Sequence, residues 1–147
     1  MSLLIFDEQI NRAAAIEPLE SWATVRRLKD VRPREIIDDD RVPDLLRRLN
    51  HPTFVTIDGG FWDRQYRDKH YCILYIAVSD DQQFKIPALL RQLFRVPEFK
   101  TKTARMGKVA RIRVHAKIIS HFCGPERVVP FRKNCMWSDH NFSRLWF

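Results

Sequence analysis

No apolar run in this chain approaches the ~20 residues that a membrane-spanning helix requires; the longest lies near Cys72–Val78. Met1–Phe6 has no basic segment and no small-residue cleavage site, so no signal peptide is expected. Cysteine is scarce. Cys72, Cys123 and Cys135 are an odd number without a tight pairing pattern, which argues against a disulfide-stapled scaffold and suits a reduced, cytoplasmic setting. Cys72, inside the apolar run, is expected to be a buried thiol. Glycine is scarce too, and no Lys-Ser/Thr follows the pair Gly59-Gly60, so the phosphate-cradling loop of nucleotide hydrolases is missing. There is no nucleophilic serine motif, no catalytic histidine pattern, no internal repeat and no low-complexity tract. His121, Cys123, Cys135 and His140 are spaced H-x-C…C-x4-H, which is not a standard structural zinc arrangement.

Positive charge is plentiful. Lys and Arg number 26 against 18 Asp and Glu, a net charge of +8 over 147 residues. That length favours one domain with a real core. The charge suits a polyanionic partner: nucleic acid, an acidic protein or an anionic surface.

Against this background the acidic residues are placed suggestively. Asp7 ends the apolar run that begins at Leu3, and Asp58 ends Phe54-Val55-Thr56-Ile57. A short apolar run ending in Asp predicts a buried strand that delivers a carboxylate to the rim of a sheet. In open α/β sheets, ligands bind at the rim formed by the strands' carboxyl ends. Asp38-Asp39-Asp40 and Asp63 complete the set. Two or three carboxylates meeting there would make a hard-oxygen site for Mg2+ or Mn2+.

Along the chain, Leu3–Asp7 predicts a strand and Gln9–Ile16 a helix stopped by Pro18. Trp22–Leu28 predicts a second strand, and Lys29–Asp40 a basic loop or irregular turn. Val42, Leu45, Leu46 and Leu49 fall on one helical face, with Asp39 or Asp40 at the N-cap position. Thr53–Asp58 is the third predicted strand, Gly59-Gly60 a sharp turn, and Tyr71–Val78 a fourth strand buried on both faces. A helix is expected over 82–94, complicated by Pro87, and a basic, helical segment over 97–107. Val109–Phe122 alternates apolar with cationic residues and predicts one edge strand. Strands alternating with helices argue for an α/β fold with a mainly parallel sheet. The stretch 124–147, aromatic and basic with little periodicity, reads as an appendage to a domain spanning 1–123.

Three ordered motifs carry a family resemblance. Leu4-Ile5-Phe6-Asp7-Glu8-Gln9-Ile10 resembles the opening strand plus "D-E-N-L" of the PIN-like nucleases. Asp39-Asp40-Arg41-Val42 resembles their "D-E-x-I", and Thr53–Asp58 with Gly60-Phe61 resembles "V-x-V-T-x-D-x-D-F". Arg105-Met106-Gly107-Lys108-Val109 resembles one branch of the group. The likeness covers roughly residues 3–120 and is strongest toward small PIN-like proteins of toxin–antitoxin loci. It implies a three-layer fold, a central sheet flanked by helices, and a metal-dependent ribonuclease whose catalytic acids are Asp7, Asp39 and Asp58. Asp40 and Asp63 are further metal ligands on this reading. The family's next acid is Gly60 here. That leaves a single ion, Asp63 as a stand-in, or a site that has lost catalysis.

Phosphodiester hydrolysis needs an activated water and a clamp on the phosphoryl oxygens, and a carboxylate-held divalent ion supplies both. Arg32, Arg34, Arg64, Arg67, Lys69, Lys100, Lys102, Arg105 and Lys108 are the expected cationic rim for flanking phosphates. The expectation is therefore a Mg2+- or Mn2+-dependent endoribonuclease acting on RNA, with an antitoxin protein as partner by resemblance and with no membrane partner. The alternatives are a module that binds RNA or an acidic protein without cutting, and an interaction subunit whose aromatic tail, Pro130–Phe147, docks on a second copy, as in a homodimer, or on a partner.

Overall fold

A computed structural model describes residues 3–31, 34, 37–113, 118–122 and 126–130. Seven strands form one sheet: β1 (Leu3–Phe6), β2 (Thr24–Arg27), β3 (Thr53–Thr56), β4 (Cys72–Ala77), β5 (Val109–Arg113), β6 (Ile118–Phe122) and β7 (Glu126–Pro130). Their order is β2-β1-β3-β4-β5-β6-β7. The first five run parallel, and β6 and β7 follow as antiparallel additions. The α/β class and the mainly parallel sheet agree with the sequence reading.

β1, β3 and β4 are buried along nearly their whole length, as strands covered on both faces must be. Alternate residues feed two cores. Leu4, Phe6, Val55, Leu74, Ile76, Ala110 and Ile112 pack with Leu89, Leu90 and Leu93 of α3 (Ile86–Leu93). Ile5, Phe54, Ile73 and Val109 pack on the other face with Val42, Leu45 and Leu46 of α2 (Val42–Arg47). The pattern Val42, Leu45, Leu46 predicted that helix. Short helices α1 (Leu28–Val31) and α4 (Lys102–Arg105) complete the set. Cys72 is fully buried, and burial pushes its thiol up to about 12, which removes it as a nucleophile.

The connections differ from expectation in instructive ways. Pro18 does not stop the first helical segment. A π-helical turn (Arg12–Ile16) passes directly into a 3-10 turn (Glu17–Leu19) that accepts Pro18 in its first positions, where no N–H is needed. Pro87 likewise sits in the first turn of α3, after a 3-10 turn over Asp80–Lys85. Val109–Phe122 is a pair of antiparallel strands, so β5 is internal rather than an edge. β7 brings residues 126–130, read as appendage, into the sheet. The aromatic tail beyond Pro130 lies outside the described residues.

The β1–β2 and β4–β5 connections cover the same face, because Ile16 and Leu19 share one core with Leu89 and Leu93. They step across the sheet in opposite directions, so the two crossovers have opposite hands. One departs from the right-handed rule of nearly all such units. The consequence is local: the turn after β4 packs against the turn after β1.

Gly107, just past α4, has φ +86° and donates its N–H to Tyr71 O at 2.9 Å. Only glycine holds that backbone without cost. Gly107→Ala is expected to lose about 1–2 kcal/mol of stability, although a Cβ there meets nothing within 4 Å. Urea denaturation of the two proteins checks this; equal stabilities would contradict it.

Candidate active site

β1 lies between β2 and β3, so the chain leaves β1 and β3 to opposite sides of a topological switch point, where open α/β sheets bind ligands. Both predicted carboxylates are at this carboxyl rim. Asp7 follows β1, is 8% exposed, and its N–H donates to Val55 O at 3.0 Å. By alternation it shares the α2 face with Ile5. Thr56, at the end of β3, is buried and donates its hydroxyl to Asp7 Oδ2 at 2.7 Å. The Glu8 N–H donates to Asp7 Oδ1 at 2.7 Å. The Asp58 N–H donates back to Thr56 Oγ1 at 3.0 Å. Thr56 thus ties the ends of β1 and β3 together and sets the angle of Asp7.

Asp58 caps the 3-10 turn Gly59–Phe61, with Oδ1 accepting from the Gly60 N–H at 2.9 Å. A Cβ at position 60 would lie 3.2 Å from that Oδ1, so glycine is what lets the turn close so tightly on Asp58.

Asp39 approaches from α2. Neither Asp39 nor Asp40 caps that helix: its N-cap position is Arg41, without a side-chain bond. A 3-10 turn over Asp39–Arg41 precedes it, and Asp38, at that turn's N-cap position, makes no side-chain cap either. The turn's exposed carboxylates are thus not committed to capping. Asp63 differs. It caps a separate turn, Oδ1 accepting from the Gln65 N–H at 2.9 Å and Oδ2 from Gln65 Nε2 at 3.2 Å.

Asp7, Asp39 and Asp58 share one electrostatic environment. Burial raises the pKa of Asp7 against the hydrogen bonds from Thr56 and Glu8, and the charges of Asp58 and Glu8 add to the rise. Asp39 is raised by desolvation and then by the charges of Asp58 and Asp7. Among the described residues, neither group forms an ion pair with a cation, and no cation is among the main causes of either shift. Among the described residues, however, no group of three or more His, Cys, Asp or Glu side chains is gathered as a metal-ligand cluster. The donors nonetheless suit a hard cation, because a buried carboxylate without a cationic partner is what such an ion would neutralise.

A native pKa above the unfolded value means that the native state binds its proton more tightly. Well below the ordinary value of 3.8, both states are protonated and nothing is lost. As pH rises through the native pKa, the ionised carboxylates cost stability. In chelator, Asp7→Asn is therefore expected to melt above wild type near neutral pH, and the difference should shrink as pH falls toward 3.8. A variant melting lower near neutral pH would show that the hydrogen bonds to Asp7 outweigh its burial.

The expected cationic rim is largely elsewhere. Arg105 is 1% exposed and belongs to the core. Its Nε donates to Thr53 Oγ1 at 3.2 Å and its Nη1 to Phe99 O at 2.9 Å, and its guanidinium stacks 4.4 Å from the Phe94 ring centroid. Lys108 is half-buried, with Nζ donating to Glu98 O at 2.6 Å. Arg105 therefore has almost no surface to offer a phosphate, and the Lys108 ammonium is held by a backbone carbonyl. Lys100 and Lys102 belong to the segment entering β5, and Lys69 precedes β4, so all three sit toward the amino ends of the strands, across the sheet from the acids. Arg64 and Arg67 are exposed on the β3–β4 connection, Arg34 is exposed before Asp38, and Arg32 lies outside the described residues.

The cations that do share the acidic rim were missed. Arg26 and Arg27 end β2, and Arg27 is level with Phe6; Arg12 follows β1. Their signal was a pair of arginines closing a short strand, which reads equally as edge protection. Arg111 of β5 was read as an outward cation. It is half-buried, level with Thr56 and Tyr75, and 4.8 Å from the Trp62 ring centroid. No protein-family model, no curated protein and no solved structure matches this chain.

Proposed function

We propose that this protein is a divalent-metal-dependent ribonuclease of PIN-like fold. The observation that carries the reading is Asp7. A carboxylate 8% exposed, with no ion pair to a cation among the described residues, lies at the sheet's switch point with Asp39 and Asp58 close enough to raise its pKa or its neighbour's. The two hydrogen bonds offset only part of the cost of burying this charge, and a carboxylate raised by burial at a sheet rim is a functional-site candidate. Asp7, Asp39 and Asp58 would hold Mg2+ or Mn2+, with Asp40 adding negative charge beside Asp39. When bound, the ion supplies Lewis acidity at a phosphoryl oxygen and a more acidic water. The chain's own part is to orient Asp7 through Thr56 and Glu8, to orient Asp58 through Gly60, and to bring RNA to the rim by its positive charge. An antitoxin partner and a place in a toxin–antitoxin pair belong to this proposal through the sequence resemblance alone.

The test is cleavage of a labelled single-stranded RNA with Mg2+, Mn2+ or chelator, wild type beside Asp58→Asn. Metal-dependent cutting by wild type that fails in the variant is expected. Equal cutting by both would mark a contaminant and end the assignment.

One observation favours a second reading, a module that binds RNA or an acidic protein without cutting. Gly60 stands where the resemblance calls for an acid, and the carboxylates are not gathered as a finished cluster. On that reading wild type holds RNA equally well with ion or chelator and never cuts it.

A further inference from the structure

A cleft of ≈ 630 Å3 opens at the same rim, on the α3 face of β1. It is lined by Glu8, Gln9, Ile10, Asn11, Arg12, Arg27, Asp80 and Gln83. The volume lies in the range of small-ligand sites. Three distant segments build it: the turn after β1, the end of β2 and the turn after β4. Gln83, 5% exposed, locks two of them together. Its Nε2 donates to Gln9 O at 3.1 Å, and its Oε1 accepts from the Asn11 N–H at 2.5 Å. Both ends of that amide are committed, so Gln83 is a strut rather than a ligand group.

Two of the lining side chains are cations. Arg12 is engaged outward, 3.6 Å from Glu17 and 3.9 Å from Glu20. Arg27 is not. Among the described residues, its Nε is buried without a hydrogen-bond partner, and its Nη2 makes a long, 3.5 Å contact to Glu8 O. A buried donor left unpaired is costly unless an acceptor arrives. A phosphate offers several acceptor oxygens in the geometry that a guanidinium fork matches. Glu8 and Asp80 are exposed and accept hydrogen bonds, as ribose hydroxyls require. Among the described residues no aromatic side chain lines the cleft, so none of them stacks a base there.

We propose that this cleft holds one ribose-phosphate unit of an RNA strand, next to the phosphate over Asp7. Arg27 takes the phosphate, and Glu8 and Asp80 take the ribose hydroxyls. The identity of the ligand rests on the ribonuclease reading. Binding itself needs neither metal nor catalysis. Because Glu8 directly follows Asp7, a strand crossing the end of β1 passes from the acids into the cleft. Recognition by backbone alone makes the subsite indifferent to base and selective for RNA over DNA.

The experiment is titration of the metal-free protein, in chelator, with adenosine 5′-monophosphate and its 2′-deoxy analogue, followed by amide chemical shifts. AMP is expected to move residues 8–12 and 80–83. The deoxy analogue should bind several-fold more weakly, as loss of one hydrogen bond implies. Arg27→Met should weaken AMP about tenfold or more, while Arg95→Met, remote on the surface, should not. The wild-type shift map stands even if Arg27→Met folds poorly, and Arg27→Lys supplies a second variant. Absent shifts at saturating AMP, or equal affinity for AMP and its deoxy analogue, would overturn the proposal. RNA cleavage without AMP shifts sinks the cleft alone; Arg27-dependent AMP binding without cleavage sinks the ribonuclease alone.

Discussion

Asp7→Asn is expected to eliminate ion-dependent RNA cleavage and to leave a folded protein. Asparagine keeps the shape and one acceptor oxygen but removes the charge. It also turns an NH2 either toward the Thr56 hydroxyl or toward the Glu8 N–H, where the carboxylate accepts at 2.7 Å. An ion held partly by Asp7 loses its most shielded ligand. The drop should exceed the ~10–100-fold that loss of a supporting partner costs a metal site. Thr56→Val sets that lower mark. It keeps β3 apolar, removes the hydroxyl that orients Asp7 and frees the Asp58 N–H. Initial rates at saturating Mn2+ rank the three proteins: wild type, Thr56→Val lower, Asp7→Asn at background. If Asp7→Asn retained more activity than Thr56→Val, Asp7 would be a structural carboxylate and the site would lie elsewhere.

The second large effect is on stability. Arg105→Ala is expected to cost about 3 kcal/mol, combining a core cavity with a buried carbonyl left without its donor. That corresponds to a fall of roughly 6–12 °C in melting temperature for a chain of this size. Arg105 fills the space between Phe94 and Phe99 and bonds Thr53, at the start of β3, and Phe99 O. It therefore pins the segment before β5 to the centre of the sheet. Thermal melts of wild type and Arg105→Ala measure the loss. RNA binding measured against salt, well below the melting range, separates the roles. A phosphate ligand would lower the salt slope by about one when removed, and Arg105→Ala should leave it unchanged. A stable variant with a reduced slope would return Arg105 to the nucleic-acid face.

What was legible in the sequence was local. The strands ending at Asp7 and Asp58 were written in short apolar runs, and α2 in the spacing of Val42, Leu45 and Leu46. The fourth strand showed itself as an uninterrupted apolar stretch, and β1 to β4 fall where predicted. What was not legible depended on distant partners. Val109–Phe122 alternates without a glycine, proline or asparagine to punctuate it, so two strands read as one. Arg105 sits among Lys100, Lys102 and Lys108, a run that looks solvated. Its burial is decided by Thr53, 52 positions away in the chain. Arg27 gained meaning only when the turns after β1 and β4 closed around it. Asp7 and Asp58 could be nominated from sequence because each follows its own strand. The cations could not, because nothing local marks which end of the sheet a loop occupies.

Among the described residues, β2 forms one border of the sheet. It is four residues long, Thr24-Val25-Arg26-Arg27, with exposed and half-buried positions alternating. A sheet border of this kind can invite another chain to add itself, the first step toward fibrils and domain exchange. Two arginines in so short a strand repel their own image on a second molecule. The residue proposed to grip phosphate thus also carries charge that disfavours the pairing of β2 with a second copy.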